Sequence, residues 1–295
     1  MKFRELSKKW KVVVIMFLVL AVLLVLFNVG FGCFLNSYRD RCAEQRNEMK
    51  KADIDLIGKR MKITRKSHNP VSINLYVPDS EEESMPVVFN IHGGGFVAGD
   101  ADALDTQSNR LSQQWKAVVV SVNYTTADVK PISYGVKEIT DTVHYFYAHA
   151  KAYHLNPKES YMIGYSAGAY YAAEATRALE QSDCHLNGLI MCYPWATGLP
   201  VKNFGSKWPS TLFILAGQDP ISQKAKSYIT KMKDAGLNPD IRQYKNAQHS
   251  FIESNNPEGM NDPSEDTKNV INEKQKQLAR EAEFDIGQWI HHQED

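Results

Sequence analysis

The sequence predicts an α/β domain, a mostly parallel eight-stranded sheet flanked by helices, preceded by an N-terminal transmembrane helix. Three observations carry this expectation. Short β-branched or aromatic runs alternate with longer helical patterns from about residue 59 onward, which is how parallel strands joined by crossover helices read in sequence. Glycine-rich turns follow two of the apolar runs. A single long apolar stretch lies near the start and nothing later matches it.

That stretch, Val12 to Leu35, is interrupted only by Asn28 and two glycines, and as a helix it is long enough for a hydrocarbon core of about 30 Å. No polar face breaks it from Val12 to Phe27, which argues against a buried core helix. Lys2, Arg4, Lys8, Lys9 and Lys11 precede it, so the charge rule keeps the N-terminus in the cytoplasm and places the remainder outside. The expected organisation is a membrane anchor or signal segment over 1–35, a stalk or short helix over 36–58 and a catalytic domain over 59–295. The alternative is secretion after cleavage at the small residues Gly30 and Gly32; lipidation at Cys33 fits poorly with Gly30 and Phe31 before it.

In the domain, two polar-alternating strands are expected at Lys59 to Lys66 and Val71 to Pro78. Buried-type strands follow at Pro86 to Ile91, Ala117 to Tyr124, Ser160 to Gly164, Gly188 to Tyr193 and Thr211 to Ala216, with an eighth at Asp240 to Tyr244. Helices are expected over Leu104 to Trp115, Tyr134 to His154, Ala167 to Glu180, Ile221 to Ala235 and Ser264 to His291. The last has Val270, Ile271, Leu278, Ala282, Ile286, Trp289 and Ile290 able to face a core.

Composition narrows the function. The chain of 295 residues is 43% hydrophobic and carries 34 basic against 34 acidic residues, so no net field favours nucleic acid, and a small neutral substrate suits the balance. Four cysteines without Cys-x-x-Cys spacing are too few for a disulfide framework or a zinc site. Cys184 and Cys192 as an extended pair lie roughly 25 Å apart, so a bridge between them needs a chain reversal. Mostly free thiols and no metal site are the expectation.

Gly164-Tyr165-Ser166-Ala167-Gly168 lies where a strand run meets a helical run, the setting of a nucleophile elbow. Side chains at Gly164 or Gly168 are expected to collide with neighbouring elements in that sharp turn. His92-Gly93-Gly94-Gly95 follows another strand run without the Lys-Ser or Lys-Thr of a nucleotide loop, and it offers backbone amides for an oxyanion hole. Gly94 and Gly95, with Ala167 after the nucleophile, are the candidate donors; His92 reads as a structural member of the loop. A serine hydroxyl needs a histidine to take its proton and an acid to orient that histidine. With an elbow of this kind the acid follows the serine and the histidine comes last. That order selects Asp219 and His249, each just after a strand run, with Asp183 and Asp240 as rival acids. His144, His149 and His154 share one helical pattern, His185 precedes a strand, His291 and His292 lie at the terminus, and His68 comes before the serine.

With these residues the sequence resembles the hormone-sensitive-lipase-like esterases of the α/β-hydrolase superfamily, over about residues 60 to 290. The likeness rests on His92-Gly93-Gly94-Gly95-Phe96-Val97-Ala98-Gly99-Asp100, Ser166-Ala167-Gly168, Asp219-Pro220 and His249-Ser250-Phe251. It implies the α/β-hydrolase fold and cofactor-free hydrolysis of carboxylic esters through an acyl-enzyme on Ser166. Two positions depart from the pattern: Tyr165 stands where many members carry Asp, and Ala169 where many carry Gly. Asp219 lies 53 residues after Ser166, which leaves only about Pro194 to Pro209 for a cap. A reduced cap implies an open site for short-chain esters or for acyl groups on a bulky scaffold such as a polysaccharide. Phe96, Tyr165 and Trp195 are the candidate substrate-binding residues, with Tyr170 and Trp208 as further aromatics beside them. Acyl transfer by the same triad, and a non-catalytic binding role on a hydrolase scaffold, are the competing functions.

Overall fold

The computed structural model describes residues 7–51, 55–200, 204–255 and 272–292, and it divides into two compact units, Met1–Ala52 and Asp53–Asp295. In the first unit a single helix, α1, runs Lys8–Lys51. Its Lys8–Phe34 portion has the length and composition to cross a membrane; at 1.5 Å per residue it is about 40 Å long. The helix does not stop where the apolar run stops. Residues 36–51 contain neither Pro nor Gly and are rich in Arg, Glu and Lys, residues that sustain a helix without an apolar stripe.

The second unit holds eight strands: β1 Lys59–Arg65, β2 His68–Tyr76, β3 Met85–Ile91, β4 Val118–Asn123, β5 Leu155–Tyr165, β6 Gly188–Cys192, β7 Ser210–Ala216 and β8 Asp240–Tyr244. They form one sheet in the order β1-β2-β4-β3-β5-β6-β7-β8. β2 pairs antiparallel with β1 and with β4, and every later pairing is parallel. Helices α2 Asp105–Trp115, α3 Ile132–Ala148, α4 Ala167–Leu179, α5 Pro220–Asp234 and α6 Glu273–His291 complete the unit.

Strand periodicity sorts the core into two layers. Val87, Phe89 and Ile91 of β3, Val118 and Val120 of β4, and Phe213 and Leu215 of β7 face a layer with Val143 and Phe146 of α3, Ala172 of α4 and Met232 of α5. The alternate residues Val88, Val119, Ile163, Leu212 and Ile214 face Leu111 and Trp115 of α2 and Ala282, Ile286 and Ile290 of α6. Both faces are covered, which is why the central strands read as continuous apolar runs.

The second half of the Tyr134 to His154 pattern breaks from its expected helix. α3 ends at Ala148, a 3-10 turn spans Ala150–Tyr153, and His154 sits at φ +52° before β5. The buried face of α3 ends at Phe146, and the backbone leaves helical geometry at His149 (φ −113°, ψ +18°) although Ala150 and Tyr153 still pack against the core. β5 accordingly starts at Leu155, earlier than Ser160. For the closing helix, residues 264–271, including Val270 and Ile271, lie outside the described residues; α6 starts at Glu273, with Asn272 accepting from the Gln275 amide as its cap.

Candidate active site

The parallel strands deliver their C-terminal ends to one edge of the sheet, and the site is assembled there from four loops. After β5 the chain turns through Ser166 (φ +51°, ψ −115°) directly into α4. The amide of Ser166 donates to the Cys192 carbonyl at 2.9 Å, and its own carbonyl accepts from Ala169 and Trp195 at 3.2 and 3.1 Å, which locks this unfavourable backbone. Tight packing explains the flanking glycines. A Cβ on Gly164 would sit 2.6 Å from the Ala169 Cα, and one on Gly168 would sit 2.2 Å from the His92 carbonyl oxygen. Gly168 therefore lets the start of α4 rest against the loop after β3.

In that loop the Gly94 carbonyl accepts from the amides of Val97 and Ala98 at 3.2 and 2.9 Å. Gly94 lies at φ +125°, and a Cβ on it would fall 2.0 Å from the Ala98 carbonyl oxygen. Among the described residues, the amides of Gly94, Gly95 and Ala167 donate to no protein acceptor. His92 is buried, stacks on Tyr124 with ring centroids 4.2 Å apart, and bonds through Nδ1 to the Gly93 carbonyl at 2.7 Å. Its pKa is pushed down by burial. Its Nδ1 is engaged with the loop, as expected of a structural residue.

Asp219 and His249 lie in the loops after β7 and β8. Asp219 caps α5, with Oδ1 accepting the Ile221 amide at 2.8 Å and Oδ2 the Ser222 amide at 3.2 Å, and Pro220 occupies the first helical turn. The Ser222 hydroxyl donates to Asp219 Oδ2 at 2.9 Å. His249 Nδ1 lies 2.8 Å from that same oxygen, and His249 Nε2 lies 2.9 Å from Ser166 Oγ. The Nδ1 proton is thus held by the acid and Nε2 faces the hydroxyl as acceptor. The rival Asp240 instead accepts from the Trp289 indole at 2.8 Å.

Charge follows this geometry. Burial raises a carboxyl, but the hydrogen bond and charge of His249, with the Ile221 amide and Ser222, hold Asp219 below its ordinary value. Burial lowers an imidazolium, yet the Asp219 bond and charge, joined by Glu253, hold His249 above its ordinary value. His249 keeps about a third of its side chain exposed, and Ser166 is 7% exposed, so the pair opens to solvent.

The aromatic expectations divide. Phe96 packs edge-on against Trp195 and Tyr170, with centroids 6.0 and 5.5 Å apart, and Trp195 is 38% exposed beside the Ser166 carbonyl. Tyr165 does not line the site. It is fully buried in the layer under α2 and α6 with Cys192 and Ile214, because the last residue of β5 points away from the face on which the chain turns. Trp208 is likewise buried, against Phe204 and Thr211. Cys33, Cys184 and Cys192 are free thiols. No cluster of three metal-ligating side chains occurs among the described residues.

A family model described as alpha/beta hydrolase fold matches residues 88–207. Solved structures match along most of the chain. An esterase from the archaeon Pyrobaculum calidifontis superposes with a TM-score of 0.68 at 20% identity, over 87% of this chain and 90% of its own. The chain has the α/β-hydrolase fold. A thermostable carboxylesterase cloned from a metagenomic library matches that fold with a TM-score of 0.67 at 20% identity, over 88% and 97% of the two chains. An esterase from Mycobacterium marinum does so with a TM-score of 0.67 at 17% identity, over 88% and 90%. At these identities the shared property is the hydrolase fold itself. The elbow, the glycine loop and the two loops after β7 and β8 lie at the strand ends where α/β sheets bind ligands.

Two contributors were not legible in the sequence. Ser222 steadies the acid, and Tyr193 stands edge-on to the His249 ring at 5.3 Å, its hydroxyl bonded to Glu253. Ser222 meets the acid locally, in the first turn of α5, whereas Tyr193 is revealed only by the three-dimensional meeting of the end of β6 with the His249 loop.

Proposed function

We propose that this protein is a serine esterase that hydrolyses carboxylic esters through an acyl-enzyme on Ser166. The observation carrying the proposal is the unbroken hydrogen-bonded line from Ser166 Oγ through His249 to Asp219 at 2.9 and 2.8 Å, set beside the unengaged amides of Gly94, Gly95 and Ala167. His249 Nε2 takes the proton as Ser166 Oγ attacks the ester carbon. The carbonyl oxygen becomes an oxyanion held by the three amides, each worth about 2.7–4 kcal/mol to the transition state. The imidazolium then protonates the departing alcohol, and water, activated by His249 in turn, releases the acid and restores Ser166.

Phe96 and Trp195, with Tyr170 behind them, form a partly exposed aromatic wall suited to short acyl chains or to a ring of a polymer-linked substrate. The apolar part of α1 anchors the chain, and the basic residues before it place the hydrolase outside the cytoplasm. The deciding experiment uses the full chain in detergent with aryl esters from acetate to decanoate, beside Ser166→Ala. The proposal expects turnover that is strongest on the shorter esters and falls by at least about 1000-fold in the variant. Equal turnover by both proteins would refute a serine mechanism.

A further inference from the structure

Glu253 is a second carboxyl at the site, four residues beyond His249 and outside the triad. It opens a 3-10 turn, Glu253–Asn255, that is tied back onto the histidine loop: the Ser254 amide donates to the Ser250 carbonyl at 2.9 Å, and the Asn255 amide side chain to the Phe251 carbonyl at 2.8 Å. From this platform the Glu253 carboxylate accepts the Tyr193 hydroxyl. Its Oε1 fills the space beside Gly93, where a Cβ would come within 2.8 Å of it and 3.6 Å from the Ser166 Cβ. Three loops of the site therefore meet on one side chain: the start of the oxyanion loop, the end of β6 and the loop of His249.

Tyr193 makes this contact consequential. It is fully buried, lies at φ +36°, and sets its ring against both His249 (5.3 Å) and Phe251 (5.6 Å). A buried hydroxyl demands an acceptor, and a carboxylate is a strong one. Burial pushes the Glu253 carboxyl up, while the Tyr193 hydroxyl and the His249 charge pull it back.

Resting on the esterase reading above, we propose that Glu253 is a positioning residue which, through Tyr193 and Gly93, holds the His249 ring and the oxyanion loop in register with Ser166. The effect falls on the chemical step: displacing a catalytic group by about 1 Å can cost about 100-fold in rate, and a partial displacement costs less. Substrate binding, carried by Phe96 and Trp195, stays intact.

The test measures kcat and KM of the full chain in detergent at pH 8 on an aryl acetate, for the unaltered protein, Glu253→Ala, Glu253→Gln, Tyr193→Phe and the Glu253→Ala/Tyr193→Phe double variant. Glu253→Ala and Tyr193→Phe should each lower kcat about tenfold with KM within about twofold. Glu253→Gln, which still accepts the Tyr193 hydroxyl, should recover kcat to within about threefold, and the double variant should lose no more than the worse single. Losses that multiply in the double variant, a Gln variant no better than Ala, or an effect confined to KM would each overturn the proposal. Should Glu253→Ala not fold, the remaining singles decide: activity kept by Glu253→Gln and lost by Tyr193→Phe supports it, and any other pairing contradicts it. Absence of turnover in the unaltered protein would remove the esterase reading and this one together; intact turnover with multiplying losses removes only this one.

Discussion

At the scale of residues, the site is a set of opposed shifts acting on one proton. In the proposed mechanism His249 must be neutral to accept the Ser166 proton. Burial alone would ease that, but Asp219 and Glu253 hold the imidazolium above its ordinary value of 6.5. The sign follows directly: kcat/KM rises with pH, and its midpoint lies above 6.5. A pH–rate profile on an aryl acetate checks this, and a midpoint below that value would contradict the arrangement. Asp219→Asn should lower kcat by roughly 1000- to 10,000-fold, since an amide can no longer stabilise the imidazolium; a loss under tenfold in the same assay would show that another acid serves. These three residues were legible because each stands in a local pattern: Ser166 between two glycines at a strand-to-helix turn, Asp219 in an Asp-Pro helix start, and His249 last in chain order. Tyr165 was misread because alternation along β5 turns it to the opposite layer from Phe96 and Trp195. Glu253 was invisible because its partners, Tyr193 and Gly93, are brought to it only by three separate strand ends.

At the scale of elements, the glycines let neighbouring parts of the site pack closely. Gly168 lets α4 meet the loop after β3, with 2.2 Å between a would-be Cβ and the His92 carbonyl oxygen. Gly168→Ala is therefore expected to push the oxyanion loop away from Ser166 and cut kcat at least about 100-fold, measured beside a circular-dichroism check that the fold persists. Gly95→Ala makes a useful contrast: a Cβ there meets nothing within 4 Å, and only the positive φ of +59° resists it. It should retain far more activity than Gly168→Ala, and the reverse ranking would contradict the packing account. The central strands β3, β4, β6 and β7 were readable nearly to the residue, because a sheet covered on both faces demands continuous apolar runs at its centre. Helix ends were less readable. Where α3 gives way to a 3-10 turn at Ala150, Ala150 and Tyr153 still meet the core, so sequence periodicity does not report the change of backbone.

At the scale of the whole molecule, a hydrolase unit shares its chain with a helix whose Lys8–Phe34 portion is apolar enough to cross a membrane. Expressed in cells, the full chain should remain in the membrane pellet after alkaline carbonate washing, and its esterase activity should be exposed on the non-cytoplasmic side to a membrane-impermeant inhibitor. Release into the soluble fraction would point to a cleaved segment. The helix was legible because every residue from Val12 to Phe27 is apolar; beyond residue 35 the sequence left a stalk or a short helix open, since charged helix formers leave no stripe to read, and α1 runs on to Lys51. The central claim, an acyl-enzyme on Ser166, is tested most directly by intact-mass and peptide analysis after treatment with an aryl fluorophosphonate. The account predicts one adduct per chain, on Ser166, formed in step with the loss of activity and absent from Ser166→Ala. Activity that survives complete labelling of Ser166, or that is lost with the adduct on a different residue, would contradict it.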